Sequence, residues 1–326
     1  MADTLTMDIG RRNTRKYSFR CPDLMELRKL AYFVDDPKGF RDHFGRLLSM
    51  LSTNVEDGLL CTLVQFYDPV YRCFTFPNYQ LLPTVEEYAY VLSILVFDRV
   101  PFSGMEGILE SQVIDEAIHL RKSDIDGNLI VKGGIRGLTS TFLLEKSFSF
   151  ANANSIVAFE TILVLLIYGL VLFPNIDNFV DVNAMRIFLI RNPFISHLPL
   201  SPIFQENNGC LRWSQRLMSL TNGDITWYSS VYDDVGIIDS CGELSNVPLL
   251  GTQGGINYNP DLARHQLGFA MKDKPNNTLL EGLIFQEGNG TQGLKARIVH
   301  AWHNIHRKGK GELGLKNCVA LESYTS

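Results

Sequence analysis

The feature of this sequence that most constrains its fold is the apolar run at residues 156–173, which contains one charged residue, Glu160. A helix that is apolar on every side belongs either in the core of a large domain or in a membrane. A membrane span needs about 20 apolar residues, and a carboxylate within it is costly. Asn152 and Asn154 precede the run without basic anchors, and Pro174 ends it. We therefore predict a buried central helix over 155–173, with a membrane segment as the alternative.

The composition is that of a globular protein. The 326 residues are 45% hydrophobic and 20% charged, which is enough for one large core or two domains. Thirty basic and thirty-five acidic side chains give a net charge of -5, so any contact with nucleic acid must be local. The six cysteines are scattered without metal-ligand spacing, and the first residues lack the apolar region of a signal peptide. Both observations favour an intracellular protein with reduced thiols.

Apolar residues recur at helical spacing through the first two thirds of the chain, and Thr84 with Glu87 forms a capping box at the start of one predicted helix. A short strand is predicted at 72–76. Residues 121–137 are polar and glycine-rich, which predicts a loop with one strand at 129–131. The helices are predicted over 24–31, 40–51, 56–66, 84–95, 111–120, 140–151, 155–173 and 180–190.

The last third has a different pattern. A helix at 211–220 is followed by short β-like pieces at 225–228, 235–238 and 247–250. The predicted fold is therefore mainly α, a helical body with a small β-containing subdomain in the last third. We divide the chain into a basic flexible arm at 1–19, a single domain at 20–307 and a tail at 308–326.

The segment at 254–269 has the clearest local signals in the chain. Asn259 is a good N-cap, Pro260 fits the first helical position, and Asp261 favours the positive end of a helix. Gly268 fits the position after the helix, and Phe269 is placed to pack back on it. We predict a helix over 260–267. Local structure leaves three polar residues of this segment without an assigned role: Tyr258, Arg264 and Gln266.

Two basic stretches are candidate contacts for nucleic acid or a protein partner. The first lies in the arm, where a short basic cluster is typical of a nuclear address, a phosphate-binding arm or a solvated tail. The second is a final helix predicted over 294–305. Its histidines, His300, His303 and His306, fan around the helix axis, which favours a basic surface over a zinc site. The candidate contact residues are Arg11, Arg12, Arg15, Lys16, Arg264, Gln266, Arg297, Arg307 and Lys308.

Catalytic and cofactor motifs are not found. The glycine-rich stretches at 132–137 and 251–255 lack the order that binds phosphate and predict ordinary turns, and the stretch after Asp124 fails the spacing of a calcium loop. We therefore predict no enzyme activity, no cofactor and no metal. The alternative is a metal-dependent nuclease-like enzyme using an acidic patch, defined as Asp233, Asp234, Asp239 and Glu243.

Tyr258-Asn259-Pro260, followed by the string from Ala263 to Phe269, is similar to the signature of the plant mobile domain. More closely, the chain resembles an uncharacterised, retroelement-associated plant domain abundant in legumes, through residues 12–17, 100–104, 170–174 and 211–215. The resemblance implies a mainly helical, transposon-derived protein that is associated with the nucleus and gene silencing, without established catalytic residues. The "aminotransferase-like" label given to such proteins has no support here, since no lysine has a pyridoxal-phosphate context.

One departure from the resemblance concerns the junction of Pro193 and Phe194. Related sequences carry a substantial stretch there, and this chain joins the flanking positions directly. Losing packed elements would cost more than the roughly 5–15 kcal/mol that stabilises a domain. The leading interpretation is a non-enzymatic, transposon-derived interaction protein linked to nuclear or chromatin biology. A non-functional truncated copy is a further alternative, beside the nuclease-like enzyme and the membrane protein.

Overall fold

A computed structural model of the chain shows a mixed α/β fold. Of the described residues, 56% are helical and 20% lie in strands. The strands form four small antiparallel sheets that are distributed along the chain. The prediction of a helical body with β structure confined to the last third is therefore wrong. The described residues are 23–52, 59, 62–68, 73–77, 79–82, 84–87, 118–190, 215, 217–221, 224, 236–251, 254–267, 269 and 291–313.

Three short helices begin the described chain: α1 (Met25–Ala31), α2 (Pro37–Phe44) and α3 (Leu47–Met50). Asp36 caps α2, because its carboxylate accepts hydrogen bonds from the N–H groups of Lys38 and Gly39 at 3.1 and 2.9 Å. Each of these helices buries apolar side chains in the core. The single helix predicted over 40–51 is two helices, α2 and α3, because α2 ends at Gly45, whose φ is 74°.

The first sheet follows a 3₁₀ turn at Val64–Phe66 and contains β1 (Tyr67–Asp68), β2 (Cys73–Thr75) and β3 (Gln80–Leu81). The strand predicted at 72–76 is confirmed as β2. The helices predicted at 111–120 and 211–220 and the strand at 225–228 lie largely or wholly outside the described residues, as does the junction of Pro193 and Phe194.

Residues 121–139 form a helix and a hairpin, α4 (Lys122–Asn128), β4 (Ile130–Lys132) and β5 (Ile135–Thr139). The loop predicted over most of this stretch is therefore wrong, although its strand is confirmed. Gly133 and Gly134 form the turn with φ of 59° and 82°, a left-handed conformation that suits glycine and the twist of a hairpin. The polar composition that suggested a loop belongs to a surface helix and an exposed strand.

The apolar run forms the buried centre of the molecule. The helices α5 (Ser140–Asn152) and α6 (Ile156–Ile167) pack against each other, and a π-helical turn, Tyr168–Leu172, continues α6. Every side chain of α6 from Ala158 onward is buried except Glu160, so the predicted central helix is confirmed. No helix in the described part of the chain is long and apolar enough to cross a membrane.

A third strand completes the hairpin sheet. β6 (Phe179–Asp181) pairs with β5 in the order β4-β5-β6, and α7 (Val182–Ile190) follows directly. The buried carboxylate of Asp181 accepts a hydrogen bond from the N–H of Ala184 at 2.8 Å and so caps α7. The helix was predicted to start at Val180. It starts at Val182 instead, because Val180 and Asp181 pair with β5 in the sheet.

The C-terminal part contains two further sheets. β7 (Ile237–Cys241) pairs with β10 (Ile305–Lys308), and β8 (Val247–Gly251) pairs with β9 (Gly254–Tyr258). Two helices, α8 (Pro260–Gln266) and α9 (Thr291–His303), complete the fold with a 3₁₀ turn at Lys310–Glu312. The final helix was predicted to run to residue 305, but it ends at His303, and His306 lies on β10. The described fold continues into the predicted tail, since Leu313 is buried.

Candidate functional site

The segment around α8 has the local structure that its sequence predicted. The Asn259 side chain accepts hydrogen bonds from the backbone N–H groups of Asp261 at 3.0 Å and Leu262 at 3.2 Å. Pro260 is the first helical residue, and Phe269 is buried just beyond the helix. The start of α8 is therefore fixed by its own sequence, and its remaining polar side chains are available for long-range contacts.

Tyr258 contacts a buried carboxyl group, that of Glu86. The tyrosine hydroxyl donates to Glu86 Oε2 at 2.5 Å, and the N–H of Ile238 on β7 donates to Glu86 Oε1 at 2.9 Å. Burial raises the pKa of Glu86, although both hydrogen bonds act in the opposite direction. Burial and the neighbouring Glu86 raise the pKa of Tyr258 well above its ordinary value. This contact joins the capping-box segment at 84–87 to β7 and β9.

Gln266 contacts the same segment from the other end of α8. Its Oε1 accepts a hydrogen bond from the N–H of Leu82 at 2.5 Å, and its Nε2 donates to Glu87 Oε2 at 3.4 Å. The predicted capping box is confirmed, since Glu87 N–H donates to Thr84 Oγ1 at 3.1 Å and Thr84 N–H donates back to Glu87 Oε2 at 3.2 Å. Burial raises the pKa of Glu87 as well.

Arg264 belongs to an ion-pair cluster centred on Asp239, a residue of β7. Its Nη1 lies 3.0 Å from Asp239 Oδ1, and its Nη2 donates to the carbonyl of Leu313 at 2.9 Å. Lys308 Nζ lies 3.0 Å from Asp239 Oδ2, and His306 Nδ1 lies 4.0 Å from the same oxygen. The side chain of Asp239 is 6% exposed and that of Arg264 is 11% exposed, so this pair is buried.

A bulge positions Asp239 for these contacts. Along β10, His306 pairs with Ser240 while the next residue, Arg307, pairs with Ile238, which leaves Asp239 as an extra residue on β7. An extra residue bends its strand and redirects its side chain. The carboxylate can therefore meet cations from both α8 and β10.

The three polar residues that the sequence left without a role thus make internal contacts between elements far apart in the sequence. Tyr258 and Gln266 contact residues of the segment at 82–87, and Arg264 contacts β7 and the stretch after β10. Among the candidate contact residues, Arg264, Gln266 and Lys308 are accordingly engaged within the fold.

A group of exposed basic side chains lies elsewhere, on α9 and β10. We define the basic corner as Arg297, His300, His303, His306 and Arg307, all of which are exposed. Arg297 Nε donates to Glu243 Oε1 at 2.9 Å, and both of these side chains are more than half exposed. The turn between the two elements is held by Asn304, whose Nδ2 donates to the carbonyl of His300 at 2.8 Å. The basic corner therefore presents two permanent positive charges and three histidines to solvent.

The acidic patch is not arranged for metal binding where the structure describes it. Both oxygens of Asp239 face cations, and Glu243 pairs with Arg297 on the surface. Within the described ranges, no group of three or more His, Cys, Asp or Glu side chains could hold a metal ion. Asp233 and Asp234 lie outside these ranges, as do Gly268 and the candidate arm residues Arg11, Arg12, Arg15 and Lys16.

Glu86 is the important polar residue that sequence reasoning missed. It stands next to Glu87, which the capping box identified, but two adjacent glutamates at the start of a helix usually face solvent. Its partner Tyr258 is 172 positions away, so no local pattern in the sequence marks the pair. A signal for it would have required knowing that β7 and β9 lie next to the segment at 84–87.

Comparison with protein families gives one match. A family model described as "Domain of unknown function (DUF7745)" matches residues 27–194 and 189–326. The two matched ranges overlap at 189–194, which includes the junction of Pro193 and Phe194. The segment that was predicted to be missing at this junction stays a prediction. No curated protein and no solved structure matches the chain.

Proposed function

The chain belongs to the DUF7745 family, a domain of unknown function, and we propose that it is a non-enzymatic interaction protein that binds nucleic acid through the basic corner. The observation that carries the proposal is the exposure of Arg297, Arg307 and three histidines on two consecutive elements. Exposed arginines suit phosphate groups, because the guanidinium group donates several hydrogen bonds in one plane. The chain as a whole is acidic, so such binding would have to be local.

A binding role accords with the contacts of the acidic patch. Asp239 is neutralised by Arg264 and Lys308, and this leaves its carboxylate poorly placed to hold a catalytic cation. Glu243 limits the positive charge of the basic corner, since it pairs with Arg297. The strength of phosphate binding at this surface should therefore depend on Glu243 as well as on the arginines.

A nuclear location and a transposon origin are further parts of this proposal. They are supported by the basic cluster at residues 11–16 and by the resemblance to the plant mobile domain. A fluorescent fusion of the full chain in plant cells tests the location. Nuclear accumulation that is lost when Arg11, Arg12, Arg15 and Lys16 are replaced by glutamine would agree with it, and cytosolic fluorescence of the unchanged fusion would contradict it.

The binding proposal is tested by fluorescence anisotropy of the full chain with labelled DNA and RNA oligonucleotides over a range of salt concentrations. We expect the double variant Arg297→Gln/Arg307→Gln to weaken binding and to reduce the salt slope by up to about 2, since each lost phosphate contact removes about 0.9 from that slope for duplex DNA. Glu243→Gln should strengthen binding, because it releases Arg297 from its ion pair.

The matched control is Lys38→Gln/Arg41→Gln, which removes two exposed positive charges from α2. If binding depends on the basic corner, this control binds as the unchanged chain does. Equal loss in both double variants would mean that only overall charge matters. If the chain binds no oligonucleotide at low salt but retains a protein from nuclear extract through the basic corner, its partner is a protein and the nucleic-acid proposal is wrong.

A further inference from the structure

The strand β4 is an exposed edge of the sheet β4-β5-β6. All of its residues are exposed, including two apolar side chains, Ile130 at 43% and Val131 at 65%. Edge strands carry unpaired backbone groups and are templates for pairing with another chain, and proteins usually protect them. Two of the three side chains of this edge are apolar, the third is Lys132, and all three are exposed in the described structure.

The turn of the hairpin determines which backbone groups point outward. Gly133 and Gly134 form a two-residue loop, so the flanking pair of Lys132 and Ile135 exchanges hydrogen bonds across the hairpin. Hydrogen-bonded and non-hydrogen-bonded pairs alternate along an antiparallel ladder. Val131 and its partner Arg136 therefore form a non-hydrogen-bonded pair, and the N–H and C=O of Val131 point away from β5.

The charge around this edge is positive, in contrast to the chain as a whole. Residues 121–136 contain four basic and two acidic side chains, and all four basic ones are exposed. Asp124 is paired with Lys146 of α5 at 2.8 Å. Lys132 Nζ donates to the carbonyl of Asp177 at 2.9 Å, so one further acidic residue lies near the hairpin. Lys132 and Arg136 flank Val131 in the hairpin itself.

We propose that β4 accepts an extended, acidic segment of a partner protein as a fourth strand of this sheet. The incoming backbone would pair with the N–H and C=O of Val131, and its acidic side chains would lie near Lys132 and Arg136. Strand addition of this kind takes its affinity from main-chain hydrogen bonds and its specificity from alternate side chains. The site is separate from the basic corner, and either proposal can fail without the other.

The test uses the full chain and a labelled peptide of glutamate and valine that carries glutamates on both faces of its extended backbone, because Lys132 and Arg136 lie on opposite faces of the hairpin. Binding is measured by fluorescence anisotropy. Val131→Pro removes the outward N–H without removing a hydrogen bond of the hairpin, and we expect it to lower affinity about tenfold. Val131→Thr keeps the N–H and the branched shape, so it should bind within about twofold of the unchanged chain. Lys132→Glu/Arg136→Glu should reverse the preference toward a peptide with lysine in place of glutamate.

A second measurement does not depend on the folding of any variant. The same peptide methylated on every backbone nitrogen cannot donate a hydrogen bond from either edge, so it should not bind the unchanged chain. Equal binding of the methylated peptide, equal affinity of the proline and threonine variants, or no binding of the acidic peptide would each overturn the proposal. The chain could instead self-associate without binding the peptide. If Val131→Pro abolished that self-association, the occupant of the edge would be a second copy of the chain, and this too would overturn the proposal.

Discussion

At the scale of single residues, the buried carboxyl of Glu86 is the group whose ionisation most directly affects the fold. Its pKa is raised by burial, so the folded chain holds the proton at pH values where the unfolded chain has lost it. The unfolded state then binds fewer protons than the folded state, and the stability contributed by Glu86 falls as pH rises from its unfolded pKa through its folded pKa. Glu87, whose pKa is also raised, acts in the same direction.

Glu86→Gln should therefore stabilise the chain more as pH increases. Glutamine can still accept from the N–H of Ile238, and it carries no ionisable group to desolvate. We expect the free energy of unfolding of the variant, relative to the unchanged chain, to rise as the pH increases above the ordinary pKa of a glutamate, and to level off above the raised pKa of Glu86. Urea unfolding at several pH values measures it. A difference that stays constant with pH, or that decreases, would show that Glu86 ionises normally in the folded chain.

At the scale of elements, the close approach of the π-helical turn to β6 depends on Gly169. A Cβ atom at this position would lie 2.5 Å from both Cγ atoms of Val180, well inside van der Waals contact. The turn itself is closed by the N–H of Phe173, which donates to the carbonyl of Tyr168 at 2.8 Å. The end of the central helix and the hairpin sheet therefore pack at a distance that only glycine permits.

Gly169→Ala should destabilise the chain by about 1–3 kcal/mol, the usual cost of overpacking a core. The matched control is Gly127→Ala in α4, where an added Cβ meets no atom within 4 Å. This second variant should stabilise the chain by up to about 1 kcal/mol through helix propensity. Thermal unfolding of both proteins gives the comparison. Similar effects of the two substitutions would mean that the packing of Gly169 against Val180 is looser than the structure indicates.

The elements also show how far a sequence determines this fold. Helices with local signals, such as the capped α8 and the apolar α6, were predicted because their caps and periodicity lie within a few residues. The sheet β4-β5-β6 was not predicted as a sheet, since a strand of three to five residues is too short for an alternating pattern to be distinct. Pairings such as Gly137 with Asp181 also depend on contacts distant in the sequence. The same holds for the contacts of Tyr258 and Gln266.

At the scale of the whole molecule, one apolar core extends across the first half of the described fold, up to residue 190, and the second half, from residue 215. It includes Leu27 and Phe159 from the first half and Val247 and Trp302 from the second. Polar contacts reinforce this continuity, because Tyr258 and Gln266 on the second half bond to the segment at 82–87 on the first. The two halves should therefore unfold together, as a single cooperative unit.

This expectation can be tested with two probes that report on different halves. All three tryptophans lie after residue 200, so their fluorescence follows the second half, whereas far-ultraviolet circular dichroism has a large contribution from α5, α6 and α7 in the first. We expect coincident urea transitions for the unchanged chain. Gly169→Ala, which alters the first half, should lower both midpoints equally. Tyr258→Phe/Gln266→Ala should do the same, because the loss of one hydrogen-bond partner from a buried polar group costs about 1–3 kcal/mol. Separate transitions, or a Gly169→Ala effect confined to the dichroism, would show two independently folding units.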